Sequence, residues 1–520
     1  MKSLLDAPQR LTFSKDLPLD PIKDNSSRQV HGACFSSATP RIPSSPSLVH
    51  VSVALLNDFG LTIKDKDEFV QIMSGAKPFN EFAPYSMCYG GHQFGNWAGQ
   101  LGDGRAINIA ELDIKGANWK FQLKGAGRTP YSRGADGLAV LRSSIREYLC
   151  SEAMHHLGVP TTRTLSLVKT GDSVMRDVLY NGNQKLEPGA VVCRTAPSFI
   201  RFGSFEIFSA RQDIDSLRTL ADYTIKNHFT ELGTPSIETY LAFFKKVVES
   251  TLELVIHWQR VGFVHGVLNT DNMSILGLTI DFGPYGWLEN YDPNWTPNTT
   301  DAQHHRYGYG KQPPIGMWNL AKLANALYPL VEDAKPFEEI LDGYKTGFHK
   351  QYLNMMKSKL GLEKNENTDP SLMDDLQNLL EKSNIDMTLF FRELAEFRES
   401  ESFLALVQDA SYASEDEFVH FKIQWQNWLS KYENRLKIES HSVEDRSVSM
   451  NKVNPKYVLR NYMAQLAIDD AENGDNNLLD ELYQLLRKPY DDQPEMQKWF
   501  AKRPDWAEHK VGCSMLSCSS

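Results

Sequence analysis

The residues with the most chemical content crowd into one stretch, His265–Gly283, which reads HGVLNTDNMSILGLTIDFG. It carries an Asp-Asn pair, Asp271-Asn272, then a short apolar run, then Asp281-Phe282-Gly283. The run Ser274–Ile280 is rich in Ile and Leu and short enough for one strand-turn-strand passage. Such a unit holds Asn272 and Asp281 at neighbouring ends. An amide oxygen and a carboxylate converging this way are hard ligands, suited to Mg²⁺ or Mn²⁺ already carrying a nucleotide phosphate. A lone DFG is three common residues. The weight comes from finding it together with a His-Gly and an Asp-Asn in nineteen residues.

Protein kinases use the same grammar, with a catalytic-loop Asn and a DFG Asp holding the metals. One position breaks that pattern. Laid on H-R-D-L-x-x-x-N, the segment His265–Asn272 puts Val267 where the catalytic Asp should stand. Valine cannot accept a proton from a substrate hydroxyl. The nearby carboxylate is Asp271, beside the metal ligand. Three outcomes stay open: the base has moved, the reaction differs, or the site is dead.

The elements that must position these groups come earlier in the chain. From Cys88 the sequence CYGGHQFGNWAGQLGDGR carries Gly90, Gly91, Gly95, Gly99, Gly102 and Gly104. Glycines this dense let backbone N–H groups close on an anion, and Arg105 adds a bidentate phosphate contact. Interleaved Phe94, Trp97 and Leu101 argue against a flexible linker. Ala106–Glu111 and Trp119–Lys124 read as a hairpin. Trp119, Phe121 and Leu123 alternate with Lys120, Gln122 and Lys124, so Lys124 projects from the face opposite the large apolar side chains. There it can reach phosphates; a surface lysine is the alternative. The pattern from Leu138 to Gly158 is helical and carries Glu147, a partner for Lys124. Arg142 and Arg146 on it, with Arg128 and Arg133 before it, read either as a solvated face or as a polyphosphate site. Thr164–Val168 and Ala190–Val192 read as further strands. Arg194 and Arg201 follow among aromatics, where their charge needs a partner.

Leu217–Leu232, Ser236–Val261, Met317–Leu330, Pro336–Leu360, Ser371–Leu380, Glu415–Ile438, Tyr457–Ala471 and Leu478–Leu486 read as helices, and Pro284–Pro314 as an ordered loop around the cleft. His441–Val453 reads as a polar linker. Strands before helices around a metal loop give an α+β, two-lobed order. Its parts are an extension over 1–85, a glycine-loop lobe over 86–195, a helical lobe with the metal loop over 196–350, and a helical C-terminal region over 351–520.

Composition narrows the function classes. At 520 residues the chain exceeds one core, and its 41% hydrophobic and 23% charged residues are those of an ordinary soluble protein. A net charge of −11 argues against a dedicated nucleic-acid binder. No run of 18 apolar residues predicts a membrane span, and the start, MKSLLDAPQRLTF, has no signal-peptide core. The default setting is the cytosol, or the mitochondrial matrix for a eukaryotic source. Six cysteines in such a length make no disulfide framework. Cys513 and Cys518 stand apart because they lie in the last eight residues, CSMLSCSS, where a mobile thiol is open to exchange.

From about Ser86 to the last residue the chain resembles the selenoprotein O family. The resemblance is carried by GGHQFGNWAGQLGDGR, LKGAGRTPYSRGADGLAVLRSSIRE, HGVLNTDNMSILGLTIDFGP, NPKYVLRN and the terminal SCSS. It implies a protein-kinase-like fold and a protein adenylyltransferase that binds ATP in a flipped orientation, moving AMP onto protein hydroxyls. UMP transfer from UTP with Mn²⁺ is also attributed to bacterial members. Carried onto this chain, the family's nucleotide contacts fall on Gly102, Gly104, Arg105, Lys124, Asp136, Gly137, Arg194 and Arg201. Its proton acceptor falls on Asp271, and its metal ligands on Asn272 and Asp281. On that footing the base is moved, not lost. Cys518 stands where some relatives carry selenocysteine. Bacterial relatives can pair that cysteine with one in the loop after DFG, where this chain has Trp295-Thr296-Pro297; redox control would then need another partner, such as Cys513.

Overall fold

Strand alternation decides which side of the first lobe becomes the cleft. In the computed structural model, which describes residues 2–178 and 181–517, the lobe is built on β1 (Phe35–Ser37), β2 (Ser47–Val51), β3 (Tyr85–Met87), the separate hairpin β4 (Gly90–Gln93) and β5 (Asn96–Gln100), and then β6 (Ala106–Ile114) and β7 (Ala117–Lys124). β8 (Ala139–Val140), β9 (Arg163–Arg176) and β10 (Lys185–Ala196) complete it. The sheet order is β1-β3-β6-β7-β10-β9-β2, with β8 on β10. Residues 1–85 thus supply both edge strands. They also supply α1 (Val53–Phe59) and α2 (Lys66–Met73), whose Leu55, Leu56, Phe69, Ile72 and Met73 pack with Ile107, Phe121 and Leu123 in one buried cluster. Apolar β7 side chains face that cluster, so Gln122 and Lys124 face the other way.

On that other side lies α3 (Leu141–His156). The helical pattern was expected from Leu138, but Ala139 pairs with Ala190 and the helix starts after this bridge. Strand pairing there outweighs local periodicity. β9 and β10 outrun their buried stretches for the same reason: the pair continues through Met175↔Leu186, both exposed, and Arg176↔Lys185.

The second lobe follows with α4 (Phe202–Ala210), α5 (Ile214–His228) and α6 (Ile237–Val261), then β11 (Phe263–Val264), which pairs with β12 (Gly286–Trp287). These two short strands bracket the loop that carries Asp271, Asn272 and Asp281. Between them the expected strand-turn-strand is a tight turn whose Met273 and Thr279 form a single bridge. α7 (Gln312–Leu327) starts earlier than Met317 because Pro313 and Pro314 sit in its first turn, where a missing N–H costs nothing.

The C-terminal region adds α8 (Lys335–Lys359), α9 (Asp369–Lys382), α10 (Met387–Glu393), α11 (Ser400–Asp409), α12 (Lys422–Leu436), α13 (Val443–Asn451), α14 (Asn461–Glu472) and α15 (Asn477–Leu486). Three expectations change. The 415–438 helix divides at a 3₁₀ turn, Val419–Phe421. The linker at 441–453 is largely helix α13, capped by Ser442 accepting from the Asp445 N–H at 3.0 Å and buried through Arg446 and Met450. α14 starts at Asn461 instead of Tyr457, because Arg460 is extended and holds Asp386. Among the described residues no helix is long and apolar enough to cross a membrane.

Candidate active site

β7 and β10 run antiparallel with Gln122 opposite Arg194 and Lys124 opposite Val192. Residues directly opposite share a face, so Gln122, Lys124 and Arg194 converge above α3. Glu147 of α3 takes both cations: Lys124 Nζ donates to Oε2 at 2.6 Å and Arg194 Nη1 to Oε1 at 3.2 Å. Burial pushes the Lys124 amine down from its ordinary value, against the pull of Glu147. The expected Lys124–Glu147 pair is therefore formed, with Arg194 as a third member.

Asp281 closes the cluster from the second lobe. It accepts from Arg194 through Oδ1 and from Arg201 through Oδ2, the latter at 2.5 Å. Its backbone sits in the left-handed region at φ 55°, a conformation Asp tolerates when its surroundings hold it. Burial pushes the carboxyl up, yet Arg201, Arg194 and Lys124 together outweigh burial and hold it well below the usual range. His265 fixes the approach: its buried ring donates from Nε2 to the Ile280 carbonyl at 2.9 Å, one residue before Asp281.

Asp271 lies under the glycine hairpin β4–β5. Gln93 Nε2 donates to its Oδ2 at 3.3 Å, the His92 N–H to Thr270 Oγ1 at 2.7 Å, and the Phe94 N–H to Asn269 Oδ1 at 3.2 Å. Arg201 Nη1 holds the Asp271 carbonyl at 2.9 Å. A Cβ at Gly91 would lie 2.8 Å from Asp271 Oδ1, so this glycine is required by the carboxylate beside it. The glycine stretch therefore divides: its first half packs on the Asn269–Asp271 turn, while Arg105 at its end lies beside the end of β7, where Lys124 stands. Burial pushes the Asp271 carboxyl up to about 7, against Arg201, and its Oδ1 is buried with no hydrogen-bond partner among the described residues. A carboxylate with one free, poorly solvated oxygen is suited to accept a proton.

Asn272 donates its amide to the Val267 carbonyl at 2.8 Å, which turns Oδ1 away from that carbonyl. Val267 itself is buried. With Asp281 held ionised, Asn272 Oδ1 and the Asp281 carboxylate are a hard-oxygen donor set that fits Mg²⁺ or Mn²⁺ bound mainly through nucleotide phosphates.

The remaining sequence candidates fall nearby or apart. Gly102 has φ 70°, and a Cβ there would fall on the Tyr131 ring. The Gly104 N–H donates to the Gly102 carbonyl at 2.8 Å, and exposed Arg105 gives its carbonyl to the Gly125 N–H at 2.8 Å. The Gly137 carbonyl accepts from the Gly127 N–H at 3.1 Å. Asp136 pairs with Arg176 at 2.8 Å instead of with a cleft cation. Arg142 and Arg146 are not phosphate-facing. Arg142 holds Glu187 at 3.0 Å, and Arg146 holds the Tyr285 carbonyl at 2.8 Å. Cys513 is buried with no disulfide partner among the described residues, and burial pushes its thiol up to about 11, which suppresses thiolate chemistry. Cys518 lies outside the described residues. The tail before it docks on the loop after DFG, where the Thr299 N–H donates to the Leu516 carbonyl at 2.8 Å.

Against this geometry, a model of the protein adenylyltransferase SelO family matches residues 26–487. The chain belongs to that family. It is 56% identical over 513 residues to the "Protein nucleotidyltransferase YdiU" of Flavobacterium johnsoniae, covering 98% of each chain. Proteins of the same name from Rhodopirellula baltica and Aromatoleum aromaticum are each 52% identical, again over 98% of both chains.

In this SelO-family chain two organising residues escaped the sequence reading. Asp103 is buried, accepts from the Met87 N–H and Gln122 Nε2, each at 3.1 Å, and faces Arg201 at 3.9 Å. Gln122 in turn accepts from Arg194. Both lay in quoted segments, Asp103 within GDGR and Gln122 on the Lys124 face. Their type gave no signal, because a glycine-flanked Asp reads as a turn residue.

Proposed function

We propose that this chain moves AMP from ATP onto Ser, Thr or Tyr hydroxyls of proteins and releases diphosphate. UTP is a second donor on the same chemistry, and a cytoplasmic setting supplies both nucleotides. The observation that carries the reading is the pairing of a buried, half-unpartnered Asp271 with a valine at the ordinary kinase base position.

In this mechanism the acceptor oxygen attacks the α-phosphorus while its proton passes to the free Oδ1 of Asp271. The bond from the α-phosphorus to the bridging oxygen breaks, and the electron pair leaves with diphosphate. Lys124, Arg194 and Arg201 stabilise charge on the phosphates, exchanging their carboxylate partners in part for phosphate oxygens. Asn272 and Asp281 would hold Mg²⁺ or Mn²⁺, which neutralises phosphate charge when bound. This reading also assigns Gly102, Gly104, Arg105, Asp136 and Gly137 to nucleotide contact.

Ordinary γ-phosphoryl transfer is the second reading, favoured by the kinase-like Lys124–Glu147 pair and disfavoured by Val267. Incubation with α-labelled and γ-labelled ATP separates the two. Protein label from the α-position alone supports AMP transfer. Label from the γ-position replaces it with phosphotransfer, and label from neither makes the chain a nucleotide-binding scaffold.

A further inference from the structure

The β4–β5 hairpin that packs on Asp271 also carries an aromatic surface that the nucleotide chemistry does not use. Trp97 is 40% exposed at its tip. His92 packs between two indoles, with ring centroids 5.2 Å from Trp97 and 5.5 Å from Trp318 of α7. Two cations lie over the Trp318 ring, Arg306 at 4.7 Å and Lys322 at 4.7 Å. Neither forms an ion pair with a carboxylate among the described residues. Arg194 and Arg201 of the cleft, by contrast, are both held by carboxylates.

This surface is tied mechanically to the base. Gln93, the residue after His92, donates to Asp271, and a Cβ at Gly95 would lie 3.5 Å from the Arg306 guanidinium. Phe94 joins the two through the Tyr307 hydroxyl, which accepts its N–H at 2.9 Å. A group docked on Trp97, Trp318, Arg306 and Lys322 is therefore held at a fixed offset from Asp271.

A protein acceptor must bring a hydroxyl to Asp271 without displacing the nucleotide, so it has to arrive over this hairpin. In a chain of net charge −11, two cations stacked on one indole with no carboxylate partner among the described residues are a local exception that an anion would complete. We infer that the Trp97–Trp318–Arg306–Lys322 platform is the acceptor-docking site, and that it selects protein segments with acidic residues flanking the target hydroxyl. The inference rests on the AMP-transfer reading and adds the acceptor's chemistry to it.

The test uses the full chain, α-labelled ATP and Mn²⁺, with two peptides of equal length. Each carries one Ser, one Thr and one Tyr, flanked by glutamates in one peptide and by lysines in the other. The glutamate peptide should be labelled with kcat/KM higher by about tenfold, the scale of two partly exposed charge contacts. Lys322→Glu should erase or invert that preference while ATP affinity stays unchanged. Because Lys322 is a half-buried surface residue, this variant keeps the test independent of any folding defect in Arg306→Ala or Trp97→Ala. Equal labelling of both peptides, or an unchanged preference in Lys322→Glu, overturns the docking site and leaves AMP transfer standing. Block of both peptides alike by single-stranded oligouridylate also overturns it, marking the surface as a nucleic-acid site. Absence of α-label on any protein or peptide overturns the transfer reading itself.

Discussion

In the C-terminal region the Arg460 guanidinium lies on both oxygens of Asp386, at 2.7 and 2.9 Å, with both side chains out of solvent. In the cleft two arginines also close on one carboxylate, Asp281, but that carboxylate keeps 23% of its surface exposed. Asp386 spends its remaining capacity on the Leu389 N–H at 3.1 Å and the Tyr412 hydroxyl at 2.9 Å. The cleft leaves capacity unspent: Asp271 Oδ1 and Arg194 Nε are buried with no partner. Open valences occur elsewhere too, at Arg446 Nε and Arg503 Nε. Those of the cleft matter because they adjoin a charged cluster that keeps some solvent exposure, where a ligand can exchange for a protein partner. A closed pair holds the fold, and an open one is available to chemistry.

Breaking the open cluster should affect activity far more than stability. On the proposed metal assignment Asp281→Ala removes the charged one of two ligands, and it leaves Arg194 and Arg201 facing each other. Transfer from α-labelled ATP is expected to vanish, together with metal-dependent nucleotide binding. Near-normal labelling by this variant would sink the metal assignment. Asp271→Asn is expected to lower kcat by about 10²–10⁴, the scale for losing a general base, with little change in nucleotide affinity. Adding Val267→Asp to that background should not restore AMP transfer. Rescue would mean ordinary kinase polarity, and full activity in the single variant would show that Asp271 is not the base.

The open cluster was largely legible in sequence, and the reason is local. Lys124 and Glu147 follow from strand alternation and one helix, while Asn272 and Asp281 lie nine residues apart across one turn. The glycine stretch was legible only in part. Composition shows that a Cβ is not tolerated at Gly91, but not that the intruding group is Asp271 rather than a phosphate. Gln122 gains its role from register with Arg194, seventy-two residues away, which no local pattern encodes. The edge strands Phe35–Ser37 and Ser47–Val51 are too short for periodicity to register. Helix α13 was missed because one of its two buried positions is Arg446.

Breaking the closed pair should do the converse. Asp386→Ala leaves Arg460 charged and buried without a partner, a loss of about 3–5 kcal/mol for pairs of this kind. The denaturant midpoint is expected to fall, while ATP affinity of the folded fraction stays at the wild-type value. A variant that unfolds with wild-type chain would show that Asp386 is not what holds this region.

Lys359 sharpens the comparison from the other side, because it is a buried amine with no carboxylate partner among the described residues. Its Nζ donates to the Arg260 carbonyl at 2.9 Å and lies 4.1 Å from the Phe391 ring centre. Burial, with Arg260 adding to it, holds the amine well below the lysine value of 10.5. The folded state therefore carries a neutral amine over a range where the unfolded chain binds a proton. Between the depressed folded value and 10.5, the unfolded state binds more protons, so wild-type stability rises with pH. Lys359→Met removes this linkage and loses one hydrogen bond, a cost that does not vary with pH. The stability of wild type minus variant should therefore climb by about 1.4 kcal/mol per pH unit inside that window and flatten above it. Denaturant melts of both proteins at several alkaline pH values measure that slope. A flat difference would mean that the amine stays protonated in the fold and finds a counter-charge there, making Lys359 part of a closed network like that of Arg460.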